Sequence, residues 1–137
     1  MGYITRAELK EGMAFDIELH GHKLRVDADP VFGGTDYGPR PKALMLSALA
    51  GCTGMDVVSI LNKMKMPFDS FSLEIDADQA SEHPKVYTRV KIRYIFAGAH
   101  VDRAKIEKAV TLSLEKYCAV AQTLKHTATV DYEIVTN

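Results

Sequence analysis

The chain has 137 residues, 47% of them hydrophobic and 26% charged, which is the size and balance of one compact domain over 1–137. Seventeen Lys and Arg stand against 18 Asp and Glu, so there is no basic excess to draw nucleic acid or an anionic membrane, and neither is expected as a partner. The first 18 residues carry Arg6, Glu8, Lys10, Glu11 and Asp16, with no apolar core of a signal peptide. The longest apolar region, Ala43 to Leu61, is interrupted by Ser47, Gly51, Thr53, Gly54, Asp56 and Ser59; a cytoplasmic chain without a spanning helix is expected.

In chain order, Gly12 to Leu19 and His22 to Ala28 alternate in part around Gly21, which predicts an antiparallel hairpin. Residues 30–41 are too rich in Gly and Pro for regular structure and read as a long loop. From about Lys42 to Lys65 the pattern is helical and apolar almost all round, with Leu44, Met45, Leu46, Leu49, Val57, Val58, Ile60 and Leu61, so this helix must be covered on most sides. Pro67 ends it, and Phe71, Leu73, Ile75 and Ala77 mark one face of a strand.

The clearest strand runs from Lys85 to Phe96, placing Val86, Thr88, Val90, Ile92, Tyr94 and Phe96 on the core face and Lys85, Arg89, Lys91 and Arg93 on the other. Asp102 is the expected N-cap of a second helix with the stripe Ile106, Ala109, Val110, Leu114 and Tyr117, and Cys118 falls at or just past its end. A short helix over 119–125 and a strand over 127–135 complete an α+β order with an antiparallel sheet.

Two cysteines in a chain expected to stay inside the cell point to redox chemistry or to plain core packing. Cys52 follows Ala48-Leu49-Ala50-Gly51, small neighbours that leave room beside its sulfur. A helix starting near Lys42 puts Cys52 about 15 Å from the N-terminus, beyond the reach of the helix dipole. Activation of that thiol would need a cation from elsewhere, and Arg25, Arg40 and Arg6 are the candidates. Asp56, four residues on, shares the face of Cys52; it is expected to orient an Arg or satisfy backbone, and as an anion it would raise a thiol pKa.

His20-Gly21-His22 lacks a third ligand and neither cysteine has CxxC spacing, so no metal is expected. No phosphate-binding motif follows Gly33-Gly34 and Gly38, which read as turn residues, and no cofactor is expected. Met45, Met55, Met64 and Met66 read as core filler.

Gly33-Gly34-Thr35-Asp36-Tyr37-Gly38-Pro39-Arg40-Pro41, then Leu44 to Gly51, Cys52-Thr53 and Asp56 to Leu61, and finally Ser113-Leu114-Glu115-Lys116-Tyr117-Cys118 resemble the OsmC/Ohr superfamily over nearly the whole chain. The resemblance implies an OsmC-like fold: an intertwined homodimer in which antiparallel sheets wrap long central helices packed back to back. It also implies that Cys52 reduces an organic hydroperoxide and becomes a sulfenic acid, that Cys118 resolves it as a disulfide, and that a dithiol reductant restores the pair. Where the peroxidase branches carry an acidic residue near the start of the central helix, this chain has Lys42, with Ala43 beside it.

The Gly-Pro-Arg-Pro and Cys-Thr-Gly-Met-Asp segments look more like an uncharacterised OsmC-like branch. Three readings therefore stand: a thiol-dependent peroxidase in oxidative stress defence, a dimeric binder of a small apolar ligand, and a redox sensor without turnover.

Overall fold

The computed structural model describes residues 2–137, which form two compact units, one up to residue 46 and one from residue 47 on. In the first, β1 (Arg6–Leu9), β2 (Phe15–Leu19) and β3 (His22–Val26) make an antiparallel sheet in the order β1-β2-β3. The expected hairpin is β2–β3; its turn places both His20 and Gly21 at positive φ, the geometry that lets two residues reverse right-twisted strands. The strand β1 was not legible, because its four residues are all exposed and so leave no alternating pattern.

The Gly/Pro-rich stretch is ordered by the buried Asp27. Its carboxylate accepts from the Ala28 N–H (2.7 Å), the Thr35 N–H (3.0 Å) and hydroxyl (3.1 Å), and the Tyr37 N–H (3.1 Å), while the Asp27 N–H bonds the Pro39 carbonyl (3.1 Å). The loop lies so close to the chain just past β3 that a Cβ on Gly34 would sit 1.8 Å from the Ala28 carbonyl oxygen; here glycine serves close approach as well as turning.

The helix α1 (Leu44–Lys63) follows a single turn of 3₁₀ helix over Pro41–Ala43. In the second unit, β4 (Ser70–Gln79), β5 (Tyr87–Ala97) and β6 (Thr129–Thr136) form a sheet in that order, with α2 (Arg103–Leu112) and α3 (Ala119–Leu124) in the crossover before β6. β4 and β5 pair antiparallel, but β5 and β6 pair parallel, so this sheet is mixed where an antiparallel one was expected. Parallel neighbours need a long crossover, and α2 with α3 supplies it.

Val90, Ile92, Tyr94 and Phe96 of β5 are buried as expected, and the Phe71 and Phe96 rings stack at 4.2 Å. The opposite face is charged: Arg89 bonds Asp76 and Asp78 (2.7 Å each), and Arg93 bonds Glu133 (2.5 Å) and Glu74 (3.1 Å). The expected alternation fails at the start of the strand, where Tyr87 is buried and Thr88 exposed. An irregularity at Asp78/Gln79 leaves Thr88 unpaired and shifts the phase by one residue.

Within one protomer, α1 is covered on one face. Leu49, Thr53, Gly54, Val57 and Leu61 are buried, but the far face is open, with Met55 76% exposed. By length and hydropathy the helical stretch 41–63 is apolar enough to cross a membrane, a test that the core helix of a soluble protein also passes.

The four hydrogen bonds hold the Asp27 pKa down at about 2, below the usual carboxylate value of about 3.9. A depressed carboxylate stabilises the fold above its unfolded pKa and loses that contribution as pH falls through the folded one. The stability difference between wild type and Asp27→Asn, followed by urea denaturation, is therefore expected to be constant above about pH 4 and to shrink between about pH 4 and pH 2.

Candidate active site

Cys52 lies in the middle of α1, at the edge between its buried and open faces, and is half-buried. Cys118 is fully buried and caps α3, its Sγ accepting the Ala121 N–H at 3.4 Å. The two sulfurs and a carboxylate oxygen of Asp56 all lie within 4.8 Å of one another. The two site residues picked from the sequence are thus brought together across 66 positions, and Asp56 joins them.

A widened turn puts Cys118 in place. Between Ser113 and Tyr117 the helix after α2 opens to i→i+5 bonding, with the Cys118 N–H donating to the Ser113 carbonyl at 2.7 Å. The Leu114 carbonyl accepts from Gln122 Nε2 and Lys125 Nζ, both at 2.9 Å. Ser113 faces inward, fully buried.

A chain of hydroxyls that sequence reading missed holds Asp56. Ser113 Oγ donates to Asp56 Oδ2 (2.9 Å), Thr53 Oγ1 and Ser113 Oγ are 2.8 Å apart, and Thr53 Oγ1 and Tyr94 Oη are 2.7 Å apart. Each hydroxyl has one proton. Ser113 spends its proton on the carboxylate, so Thr53 donates to Ser113, and Tyr94 in turn donates to Thr53. The chain has one direction, from the sheet at Tyr94 through α1 to Asp56. The signal available in the sequence was a threonine beside Cys52 inside an apolar helix, where a buried hydroxyl demands a partner. The partner expected for Asp56 was an Arg or backbone; it is the Ser113 hydroxyl.

Burial pushes the Cys118 thiol up to about 11, and the neighbouring Cys52 and Asp56 add to the rise, against the Ala121 N–H that lowers it. The anionic effect expected of Asp56 is therefore felt at Cys118. Burial likewise pushes the Tyr94 hydroxyl above its ordinary range, consistent with its place as a donor.

Two hollows flank this part of α1. One of about 320 Å³ is lined by Asp56, Ser59, Ile60, Lys63, Leu112 and Tyr117, so that Asp56 is the member of the cluster on its wall. A groove of about 540 Å³ runs along the open face, with Gly51, Met55, Val58, Asn62, Phe71 and Leu73 among its lining, and includes none of the three clustered groups.

The candidate activating cations belong to the N-terminal unit. Arg25 is bound by Asp16 through two hydrogen bonds (2.6 and 3.1 Å), directly across the β2–β3 pair, with its guanidinium over the Tyr37 ring. A carboxylate that holds an arginine is thus present, at Asp16, although Lys42 stands where one was sought. Arg40 bonds Asp36 (2.8 Å) and the Gly38 carbonyl (3.0 Å) and lies 3.6 Å from Asp29. Arg6 is exposed on β1, and His20 and His22 are exposed at the hairpin turn.

Residues 33–133 match the family described as OsmC-like protein. Protein YhfA of Escherichia coli (strain K12) is 32% identical over 134 residues, 96% of this chain and 97% of that protein. A crystal structure of a hypothetical protein from Aquifex aeolicus VF5 is similar with a TM-score of 0.84 and 25% identity, covering 100% of this chain and 98% of the other. A Legionella pneumophila protein described as an organic hydroperoxide resistance protein OsmC shares the fold, with a TM-score of 0.73 at 15% identity over 98% and 97% of the two chains.

Thr53→Val preserves shape but strands Tyr94 and Ser113, so it is expected to cost about 1–3 kcal/mol in urea denaturation; Tyr94→Phe, which removes only the first donor, is expected to cost about 1 kcal/mol.

Proposed function

We propose that this chain, which belongs to the OsmC-like protein family, is a cytoplasmic thiol-dependent peroxidase that reduces organic hydroperoxides through Cys52 and Cys118. The observation that carries the reading is the meeting of the two sulfurs within 4.8 Å, close enough for side-chain rotation to bring them to bonding distance. A redox-related role for the family is in keeping with the hydroperoxide resistance proteins that share its fold.

In the proposed cycle, the Cys52 sulfur attacks the outer oxygen of the hydroperoxide and the O–O bond breaks. Cys52 becomes a sulfenic acid, and the alkoxide takes a proton and leaves as the alcohol. Cys118 then attacks the sulfenic sulfur; the S–S bond forms and the hydroxyl departs with the Cys118 proton as water. An external dithiol reduces the disulfide by exchange. Cys118 suits the second role: buried and held protonated, it is protected until the sulfenic acid appears. In the hollow that Asp56, Ser59 and Lys63 share with Ile60, Leu112 and Tyr117, the last three offer apolar surface for the organic part of a substrate.

The open face of α1 supports a homodimer. Met55, Val58 and the groove beside them are an apolar surface of the kind a second copy covers, and we read the expected covering of α1 as intermolecular.

Two measurements test these readings. Reduced protein exposed to cumene hydroperoxide is expected to lose two hydrogens by intact mass, faster than with hydrogen peroxide. Cys52→Ser should abolish turnover, and Cys118→Ser should stop after one oxidation at Cys52 without a disulfide. Equal turnover in wild type and Cys52→Ser, or thiols unchanged in excess peroxide, would remove the peroxidase reading. For the dimer, wild type should run at twice the protomer mass in light scattering and Met55→Asp at the protomer mass.

A further inference from the structure

Cys52, Cys118 and Asp56 present two sulfurs and a carboxylate oxygen within 4.8 Å of one another, on side chains that can rotate. Two thiolates on one tetrahedral zinc ion, at a Zn–S distance of about 2.3 Å, lie about 3.8 Å apart, so small side-chain adjustments suffice. We propose that the reduced protein holds a thiophilic d¹⁰ divalent cation, zinc(II) or its cadmium analogue, on Cys52 Sγ, Cys118 Sγ and Asp56.

The donor set selects the ion. Two sulfurs disfavour magnesium and calcium, which take oxygen, and suit zinc and cadmium. Asp56 is already oriented for ligation. Its Oδ2 accepts from Ser113, whose own acceptor position is filled from Thr53 and, behind it, Tyr94. Such outer hydrogen bonds fix a ligand's direction and strengthen the site. The hollow lined by Asp56 offers an approach to that carboxylate, with Lys63 also on its wall.

Binding converts two S–H groups into metal–sulfur bonds and releases two protons to solvent. The two thiolates and the carboxylate carry three negative charges, reduced to one by the cation. Three protein donors leave a fourth position for water or a small anion. No electron is transferred, so the site needs only that the thiols be reduced. A Cys52–Cys118 disulfide supplies no thiolate and therefore releases the ion. Conversely, a bound ion ties up the Cys52 sulfur and slows its oxidation. Sequence reading discounted a metal because it looked for CxxC spacing and for His20-Gly21-His22; these donors are assembled from 66 residues apart.

The test is titration of untagged, fully reduced, chelator-treated protein with cadmium(II), following thiolate-to-metal charge-transfer absorption in the ultraviolet. The expected result is a single endpoint at one equivalent, with both thiols lost to a disulfide-exchange reagent and no band from the oxidised protein. Cys52→Ser and Cys118→Ser should each remove the one-equivalent endpoint. In zinc competition, Ser113→Ala should bind about 10–100-fold more weakly, and Asp56→Asn at least as weakly. No endpoint at one equivalent, or a charge-transfer endpoint that is unchanged in Cys52→Ser or in Cys118→Ser, would overturn the proposal. Thiols inert to peroxide that still give the band would leave this site standing and remove the peroxidase reading.

Discussion

Three hydroxyls closed off from water must satisfy one another, and that requirement ties the second unit together. Tyr94 comes from the central strand of the sheet, Thr53 from α1 and Ser113 from the widened turn after α2. If any of these elements moved by an ångström or two, a buried donor or acceptor would be left without a partner, at a cost comparable to a substantial part of a small domain's stability. The chain ends on Asp56, so the polar constraint that registers helix against sheet also sets the carboxylate beside the two sulfurs. Packing and chemistry share one set of atoms here.

This arrangement separates the jobs of the two thiols. Both occupy small spaces, but Cys52 sits on a helix edge where a hollow can reach its neighbours, whereas Cys118 lies under the turn with its sulfur accepting a backbone N–H. The widened turn matters for this: a regular helix continuing past Leu112 would rotate Ser113 and Cys118 onto different faces.

Much of this was legible in the residues. The period change at Pro67, the N-cap at Asp102 and the alternation in β5 are local signals, and each describes an element found in place. The meeting of Cys52 and Cys118 was legible only through family resemblance, since no local pattern links positions 66 apart. What local reading missed has a common cause. The parallel pairing of β6, the slip at Thr88 and the hydroxyl chain are decided by partners distant in the sequence. Asp27 shows the same blindness at shorter range: a carboxylate beside a Gly/Pro-rich loop looks like solvent-facing charge until the loop's N–H groups are seen to converge on it.

The parallel crossover also places the cysteine pair in the order of synthesis. Cys52 emerges from the ribosome well before Cys118, and so does the part of α1 and of the sheet to which Ser113, in the turn that carries Cys118, is bonded through the hydroxyl chain. A nascent or truncated chain therefore carries Cys52 without its counterpart, and any oxidation at that stage has no internal thiol to return it. Competence to form the pair therefore waits until the segment past α2 has been made.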